Sequence, residues 1–579
     1  MNILGIANND YSGACLISNG QIVAAASEER FTRIKAHKSF PNHAINFVLS
    51  EANLTLDQID KIAFGWASDF SKEKHLELYF DRIVEACLTS SSDAVILRKR
   101  LKDEMINDAD TQNEFHQFLK DNNILDKVIY IDHHESHANA AFLCSPFDDG
   151  ITISCDGRGD FQSFTLSKFS NNKFKVLQRE TTFDSLGYFY GRITALLGYK
   201  PNRHEGKITG LAAYGDPTKL IHKMRKLIDI DQNYRIRAKF EDGYLPSYNN
   251  NYQQLKFLFH GDKPEDIAAA AQAHIEHIEH IEHILTTVVQ QYVSKEHPQN
   301  LCLAGGVFGN VKLNQRLREL DGVKNIYVLP AMGDDGLPLG AAICCLFEFA
   351  GTRIKVPSMK IGPEIKPSED IIKSLSSNYC YTLSNQHDVI EKSIKALKSN
   401  KVIGLAKGKM EFGPRSLCNR SIICSAKDIT INSWLNERMN RTEFMPFAPI
   451  VADLFAKDCF KDWDYDHVAS HFMTMTYDCT EYFKTHCPAV THVDDTARPQ
   501  VITQRSDPFT HQLLVCWEQE SNEPALINTS FNMHEEPIVC TAENALANLG
   551  KGVIDLLIFN EDLIVWKKDN NKELEYLND

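Results

Sequence analysis

No two of the fifteen cysteines have the CxxC spacing, and none of their spacings matches a zinc ribbon or a disulfide framework. Thiols such as Cys344 and Cys345, set among Ala, Ile, Leu and Phe, read as core residues of a protein kept in a reducing compartment. The chain has no apolar run of the roughly 18 residues that a membrane helix requires. It starts Met1-Asn-Ile-Leu-Gly-Ile-Ala7, already strand-like, with no basic and apolar leader, so the cytoplasm is the expected address. Positive charge is also scarce: 62 Lys and Arg face 77 Asp and Glu, a formal net charge of −15. That balance argues against a nucleic-acid or anionic-membrane surface. An anionic substrate would have to be met by locally concentrated Arg and Lys.

What the chain does have is size and a small number of dense polar stretches. Its 579 residues can bury a large core and predict more than one domain. The stretch Ile131-Asp-His-His-Glu-Ser-His-Ala138 follows a short apolar run and sets His133 and His137 four residues apart. On a helix such residues lie about 40° out of line on one face, so two ring nitrogens can reach one metal ion. Glu135 comes two residues after His133 and points to another side, which disfavours a zinc peptidase. A His pair at this spacing is by itself more often surface or core than ligand. Asp156, closing the strand-like Gly150-Ile-Thr-Ile-Ser-Cys-Asp156, and the acidic loop Gly333-Asp-Asp-Gly336 shift that balance, because open α/β sheets place ligands beyond the carboxyl ends of their strands.

The chain opens with a buried strand, a polar turn containing Asp10, and two further strand patterns joined through Asn19-Gly20, a strong hairpin signal. Residues 69–126 read as amphipathic packing helices without chemistry. Lys207 falls in a glycine-dense stretch, Gly206-Lys-Ile-Thr-Gly-Leu-Ala-Ala-Tyr-Gly215, suited to close approach by a polar ligand. Residues 219–265 carry no motif and read as an insertion covering the site. The run His274-Ile-Glu-His-Ile-Glu-His-Ile-Glu-His283 turns about 300° at each step of three, so its imidazoles cannot converge on one ion. An amphipathic helix with Ile inward and His and Glu outward is expected. A strand then leads to Gly305, Gly306 and Asn310, whose turn can offer backbone N–H groups to a phosphate.

Residues 350–363 lose all periodicity and mark a boundary, giving expected domains of 1–352 and 353–579. The second carries a basic constellation: Lys407, Lys409, Glu411-Phe-Gly-Pro-Arg-Ser-Leu417, Arg420, Arg438, Arg441 and Arg498. Together with Ser416, Asn528 and Ser530 it points to a phosphate-rich ligand, since guanidinium groups match phosphate oxygens bidentately.

Several of these stretches, with Glu28-Glu-Arg-Phe-Thr-Arg33, His492-Val-Asp-Asp-Thr-Ala-Arg498 and Asn528-Thr-Ser-Phe-Asn532, make the chain resemble carbamoyltransferases of the NodU/CmcH type over nearly its full length. The resemblance implies an α/β chain: an actin-like ATPase-type N-terminal domain with duplicated halves, then an α+β, YrdC-like C-terminal domain. It implies that the C-terminal domain activates carbamoyl phosphate with ATP and Mg as a carbamoyl adenylate. The N-terminal domain would then transfer the carbamoyl group to a hydroxyl of a small molecule, a sugar or natural product. The implied metal is iron(II), with Mn or Zn also compatible with the donor set, held by His133, His137, Asp156 and Asp334. Asp10, His137, Lys207 and Arg415 would be catalytic. Lys409, Arg415, Ser416, Arg420, Arg441, Arg498, Asn528, Ser530, Gly305, Gly306 and Asn310 would bind nucleotide or carbamoyl phosphate. No nucleic acid or membrane partner is implied, and an oligomer is compatible.

The chain departs from the family pattern in three places: Asn9 stands where many members have His, Met439 and Met445 stand where many have Lys and Arg, and Cys418 replaces Gly. Two other readings compete. An actin-fold metabolite kinase would use Asp10 and the glycine loops but leaves the His pair and the second domain unused. A non-catalytic nucleotide-binding partner in tRNA threonylcarbamoylation is disfavoured by the net charge.

Overall fold

Apolar runs bounded by turn residues become strands, and the longer mixed stretches become helices, in a computed structural model of the chain. The structure describes residues 1–66, 73–89, 91–218, 221–239, 266–356, 358–367, 369–441, 447–570, 574 and 577. Two compact units result: Met1–Val23 with Lys38–Val356, and Ala24–His37 with Pro357–Asp579. The excursion into the second unit carries the short helix α1 (Glu29–Thr32).

The first unit contains two five-stranded sheets. One is built from β1 (Asn2–Ala7), β2 (Gly13–Ser18), β3 (Gln21–Ser27), β4 (Lys61–Phe64) and β5 (Val128–Tyr130), in the order β3-β2-β1-β4-β5. Asn19 and Gly20 both take positive φ, as a two-residue hairpin turn requires. The other uses β6 (Gly150–Gly159), β7 (Gln162–Ser170) and β8 (Lys173–Thr181). After the small hairpin β9 (Ile228–Ile230) and β10 (Ile236–Ala238) it continues with β11 (Gln299–Ala304) and β12 (Val323–Val328), in the order β12-β11-β6-β7-β8. Each sheet follows one plan. Its first strand pairs antiparallel with the second and parallel with the fourth, and the fourth pairs parallel with the fifth.

The helices of this unit are α2 (Asn42–Glu51), α3 (Glu73–Thr89), α4 (Ser91–Asp121), α5 (His133–Cys144), α6 (Leu186–Leu196), α7 (Glu205–Ala212), α8 (Ile221–Met224), α9 (Asp266–Gln290), α10 (Val311–Arg318) and α11 (Leu337–Ala350). Helix α11 is apolar nearly all round and therefore lies in the core. There the backbone of Gly340 meets that of Ser136 on α5, so closely that an added Cβ would sit 2.1 Å from the Ser136 carbonyl oxygen. The His-rich helix α9 buries Ile278, Ile281 and Ile284 as its period predicts, yet it also buries His280 and Glu282, which were expected to face outward. The reason for His280 is non-local: its Nε2 lies 2.6 Å from the carbonyl oxygen of Ile228. Of the stretch 219–265, the described part is α8 with the β9–β10 hairpin, and residues 240–265 lie outside the described residues.

The second unit is organised by a mixed eight-stranded sheet. Its order is Tyr379–Leu383, Leu563–Lys567, Leu556–Phe559, Ile403–Ala406, Arg420–Ser425, Ala525–Ser530, Ala448–Ala452, Gln500–Ile502. Trp517 and Trp566 are fully buried in this unit and help fill its core. The chain is thus a mixed α/β protein with several mixed sheets. Among the described residues no helix is long and apolar enough to cross a membrane, and the described cysteines form no disulfide.

Candidate functional site

Strand β5 ends at Tyr130, and Asp132 turns the chain into α5 by accepting the backbone N–H of Glu135 at 2.9 Å. This cap satisfies one of the helix's orphan donors. Asp160, from the turn after β6, satisfies another by accepting the N–H of His133 at 2.8 Å. The helix so started carries His133 and His137 on one face with ring centroids 4.8 Å apart, while Glu135 turns aside to pair with Arg179 at 2.9 Å.

Asp156 near the end of β6 and Asp334 in the loop after β12 join the two imidazoles. Each of the four offers one ligand atom, and these atoms lie within 4.8 Å of one another. His137 Nε2 is 3.4 Å from both Asp156 Oδ2 and Asp334 Oδ1, and His133 Nε2 is 3.6 Å from Asp334 Oδ1 and 4.0 Å from Asp156 Oδ2. Ligands about 2.1 Å from a cation in tetrahedral array stand roughly 3.4 Å apart. The carboxylates are prepared alike. Asp156 Oδ1 accepts the N–H of Gly157 at 2.7 Å, and Asp334 Oδ2 accepts the side-chain amide of Asn9 at 2.9 Å. In each case the other oxygen is turned toward the histidines.

Glycine geometry explains the close packing around Asp156. Gly305 has φ +97°, and a Cβ there would stand 2.3 Å from the Cys155 carbonyl oxygen; one on Gly306 would stand 3.1 Å from Asp156 Oδ1. The glycine pair therefore makes room for the end of β6 and its carboxylate.

Charge within the cluster is finely divided. Burial lowers the basicity of His137, but the Asp156 and Asp334 carboxylates facing its Nε2 outweigh that and raise its pKa to about 9. Burial and the Asp156 charge raise Asp334 to about 7 against the pull of His137. Burial, reinforced by the neighbouring His137 and His134, holds His133 well below the ordinary imidazole range. The non-ligand His134 is pushed down to about 4 by burial. Several polar atoms here have no hydrogen-bond partner among the described residues: both ring nitrogens of His133, Nδ1 of His137 and Oδ2 of Asp156. Orphaned buried polar atoms cost roughly 1–3 kcal/mol each. A divalent cation would take up His133, His137 and Asp156 at once, so the residues present fit a nitrogen and oxygen metal site.

Asp10 lies near this cluster but is half exposed, and its carboxylate pairs with Lys38 at 2.7 Å. Lys207 is buried on α7. Asn310 caps α10, its Oδ1 accepting the N–H groups of Lys312 and Leu313 at 3.1 Å. Asn9, which sequence reasoning noted only as a departure, is the residue that orients Asp334.

In the second unit the structure gathers Ser416, Asn528, Ser530 and Arg441 around the strand Ala525–Ser530. Asn528 donates to Gln500 Oε1 at 3.0 Å and to the Ser416 carbonyl at 3.3 Å. Arg441 donates to Thr529 Oγ1 at 2.9 Å, Ser530 Oγ at 3.0 Å and Asn532 Oδ1 at 2.9 Å. Arg415 and Arg498 are half-buried, as is Lys409, whose carbonyl accepts the Asn419 amide at 2.7 Å. Arg420 differs. It is wholly buried, and its two terminal nitrogens are spent on the carbonyls of Lys407, Asn419, Pro363 and Gly408 at 2.7–3.0 Å. Its place is under the loop.

Glu411 shapes the same loop from the other side, with one oxygen accepting the N–H groups of Leu417, Asn419 and Arg420 at 2.6, 2.7 and 3.1 Å. Lys407 is also committed, to Asp507 at 2.8 Å and Glu561 at 3.1 Å.

Comparison with known proteins adds the family. Residues 2–343 match the sequence-family model "Carbamoyltransferase N-terminus" and residues 394–567 match "Carbamoyltransferase C-terminus". A protein of Methanocaldococcus jannaschii is 31% identical over 97% of this chain and 99% of its own length. The nodulation protein NolNO of Sinorhizobium fredii is 29% identical over 95% of this chain and 78% of its own. Among solved structures, an activator of 2-hydroxyisocaproyl-CoA dehydratase from Clostridium difficile aligns over 60% of this chain and 95% of its own at 14% identity, with a TM-score of 0.30. With both of its domain models matched along one chain, the protein belongs to the carbamoyltransferase family and is an enzyme of the transferase class.

Proposed function

We propose that the protein is an O-carbamoyltransferase: its second unit activates carbamoyl phosphate with MgATP as carbamoyl adenylate, and its first unit passes the carbamoyl group to a hydroxyl of a small-molecule acceptor, a sugar or natural product. The observation that carries this reading is the convergence of His133, His137, Asp156 and Asp334, drawn from three separated stretches of a chain that matches both carbamoyltransferase models. In the same reading the two five-stranded sheets with their common strand plan are the duplicated halves of an actin-like ATPase-type fold, and the second unit is YrdC-like. The protein works in the cytoplasm.

Iron(II) is the proposed ion, with manganese or zinc compatible with two imidazoles and two carboxylates. When bound, it would supply Lewis-acid polarisation of the carbamoyl carbonyl. The chain's own residues do the rest. The Gly157 N–H and the Asn9 amide fix the outward oxygens of Asp156 and Asp334, leaving their partners directed inward. Asp10 and Lys207 are the proposed proton-handling groups toward the acceptor. In the second unit Arg415, Arg441, Arg498 and Lys409 neutralise phosphate oxygens as water splits carbamoyl phosphate into carbamate and orthophosphate and the carbamate oxygen attacks the α-phosphorus of ATP, expelling pyrophosphate. AMP is the group released on transfer, and Ser416, Asn528 and Ser530 are polar contacts.

The test separates the half-reactions. Arg415→Ala is expected to abolish adenylate formation, followed as pyrophosphate release. His137→Ala is expected to spare adenylate formation and stop transfer, followed as a 43-dalton gain on the acceptor, roughly a carbamoyl group replacing hydrogen. Equal loss of both half-reactions in both variants would refute the division of labour.

A further inference from the structure

We infer that Arg158 is a positioning residue for the candidate metal centre, holding Trp66 edge-on against His133 while helix α4 clamps it in place. The inference rests on reading the four-residue cluster as a metal centre.

Strand β6 does not stop at Asp156 but runs on through Gly157, Arg158 and Gly159 before turning at Asp160 and Phe161, both at positive φ. This turn folds over the first helical turn of α5. Asp160 takes the N–H of His133, and Gly159 lies so close that an added Cβ would be 2.1 Å from the imidazole ring. Just before them in the chain, Arg158 has its guanidinium carbon 5.3 Å from the Trp66 ring centroid. The Trp66 ring in turn meets His133 at 4.6 Å between centroids and 76° between planes.

What makes this contact more than packing is the bonding state of His133. A metal-ligating histidine is ordinarily oriented by a hydrogen bond from its second ring nitrogen to a carboxylate, carbonyl or water. Neither ring nitrogen of His133 has a hydrogen-bond partner among the described residues, so its ring plane is set by its neighbours, and Trp66 is the large one. The Trp66 indole N–H is likewise buried with no hydrogen-bond partner among the described residues. The guanidinium lying over its ring is what holds the indole.

Arg158 is fixed by a part of the chain whose periodicity predicted only packing. Helix α4 presents Arg100, Glu104 and Asp108 at successive steps of four. Asp108 receives Arg158 Nη1 at 2.8 Å, and Glu104 receives Arg100 Nε at 2.7 Å. Glu104 and Asp108 are almost wholly buried. Buried ion pairs of this kind add little to stability compared with apolar residues of the same volume, because desolvation cancels the Coulomb gain. Their use here is geometric: Asp108 fixes where the Arg158 guanidinium stands, and Glu104 holds Arg100 one turn before it on the same helix face.

The experiment uses the full chain stripped of metal and titrated with Co2+, read by its absorption bands. Arg158→Lys keeps the charge but lacks the planar stacking surface. It is expected to weaken Co2+ binding roughly 10- to 100-fold and to change the band positions, as loss of an orienting neighbour does. Trp66→Ala should do the same, and Trp66→Phe, which keeps an aromatic edge, should restore most of the affinity. Because Arg158 acts through Trp66, Arg158→Lys added to Trp66→Ala should cost nothing further.

Additive losses, or wild-type affinity and bands in Arg158→Lys, would overturn the inference. Should Trp66→Ala fail to fold, the unchanged or changed spectrum of Arg158→Lys decides alone. If the wild-type chain binds no Co2+ that His133→Ala abolishes, the metal-centre reading falls and this inference with it. Wild-type binding with an unaffected Arg158→Lys removes only the inference.

Discussion

Replacing Gly159 with alanine adds one methyl group, and the structure says where it must go. The built Cβ falls 2.1 Å from both Cγ and Cδ2 of His133 and 2.7 Å from its Cβ. Gly159 is not among the glycines at positive φ, so alanine meets no backbone penalty there and the perturbation is purely one of space. Carbon atoms in contact normally stand about 3.5–4.0 Å apart, so ring and strand must separate by roughly 1.5 Å. Overpacking of this size costs about 1–3 kcal/mol of stability, which a unit of this size can absorb. In the proposed metal centre it would displace a ligand, and Co2+ affinity should fall roughly 10- to 100-fold. Transfer should be lost while pyrophosphate release from MgATP and carbamoyl phosphate continues. The assay is a Co2+ titration of the apoprotein beside the two half-reactions. A Gly159→Ala protein that melts within a few degrees of wild type and binds Co2+ equally well would refute the reasoning.

Asp507 accepts both Lys407 and Lys360 at 2.8 Å while 3% exposed, and those two cations, outweighing burial, hold its pKa at about 2. A folded pKa below the unfolded one stabilises above the unfolded value and loses that stabilisation as pH falls toward 2. The unfolded reference near 3.9 gives about 2–3 kcal/mol, to be lost between roughly pH 5 and 2 in denaturant titrations of the second unit. Asp507→Asn should remove that pH dependence and destabilise by about 3 kcal/mol, since the buried Lys407 is left with Glu561 alone and the part-exposed Lys360 loses its carboxylate. Asn9→Ala frees Asp334 Oδ2 and should weaken Co2+ binding by about tenfold with the overall fold unchanged by circular dichroism. Arg33 donates to the carbonyls of Ile538 and Pro537 at 2.8 and 2.6 Å, and Arg30 to that of Gly413 at 3.2 Å, all within the second unit. Residues 357–579 expressed alone should therefore be less stable than the same piece carrying residues 24–37, as read by urea midpoint; equal midpoints would show that the segment contributes nothing.

The His133 and His137 pair was legible because its logic is local: a helical period of four, begun by a capping Asp132 after a strand. Asp156 and the acidic loop Gly333-Asp-Asp-Gly336 stood out as carboxylates after strand patterns, and Asp334 was singled out within that loop by the family resemblance. The network on α4 was not legible, because Asp108 finds its partner Arg158 fifty residues on and a helical period cannot tell a buried carboxylate from a solvated one. His280 was misplaced on the outer face because its acceptor lies on β9, outside its own helix. Arg420 looked like a phosphate ligand among other guanidinium groups, yet its terminal nitrogens serve four backbone carbonyls, a use that only the folded loop reveals. Lost periodicity over residues 350–363 was the basis for expecting a boundary there. The passage of residues 24–37 into the second unit was not, since nothing in a continuous strand pattern marks a change of neighbours.

Metal content is the most direct measurement. Protein purified under anaerobic conditions with iron(II) supplied, then analysed by plasma mass spectrometry, should carry close to one iron per chain. Single alanine replacements of His133, His137, Asp156 and Asp334 should each lower that occupancy several-fold, without changing the melting temperature of the second unit. An occupancy that none of the four replacements reduces would contradict the account at its centre.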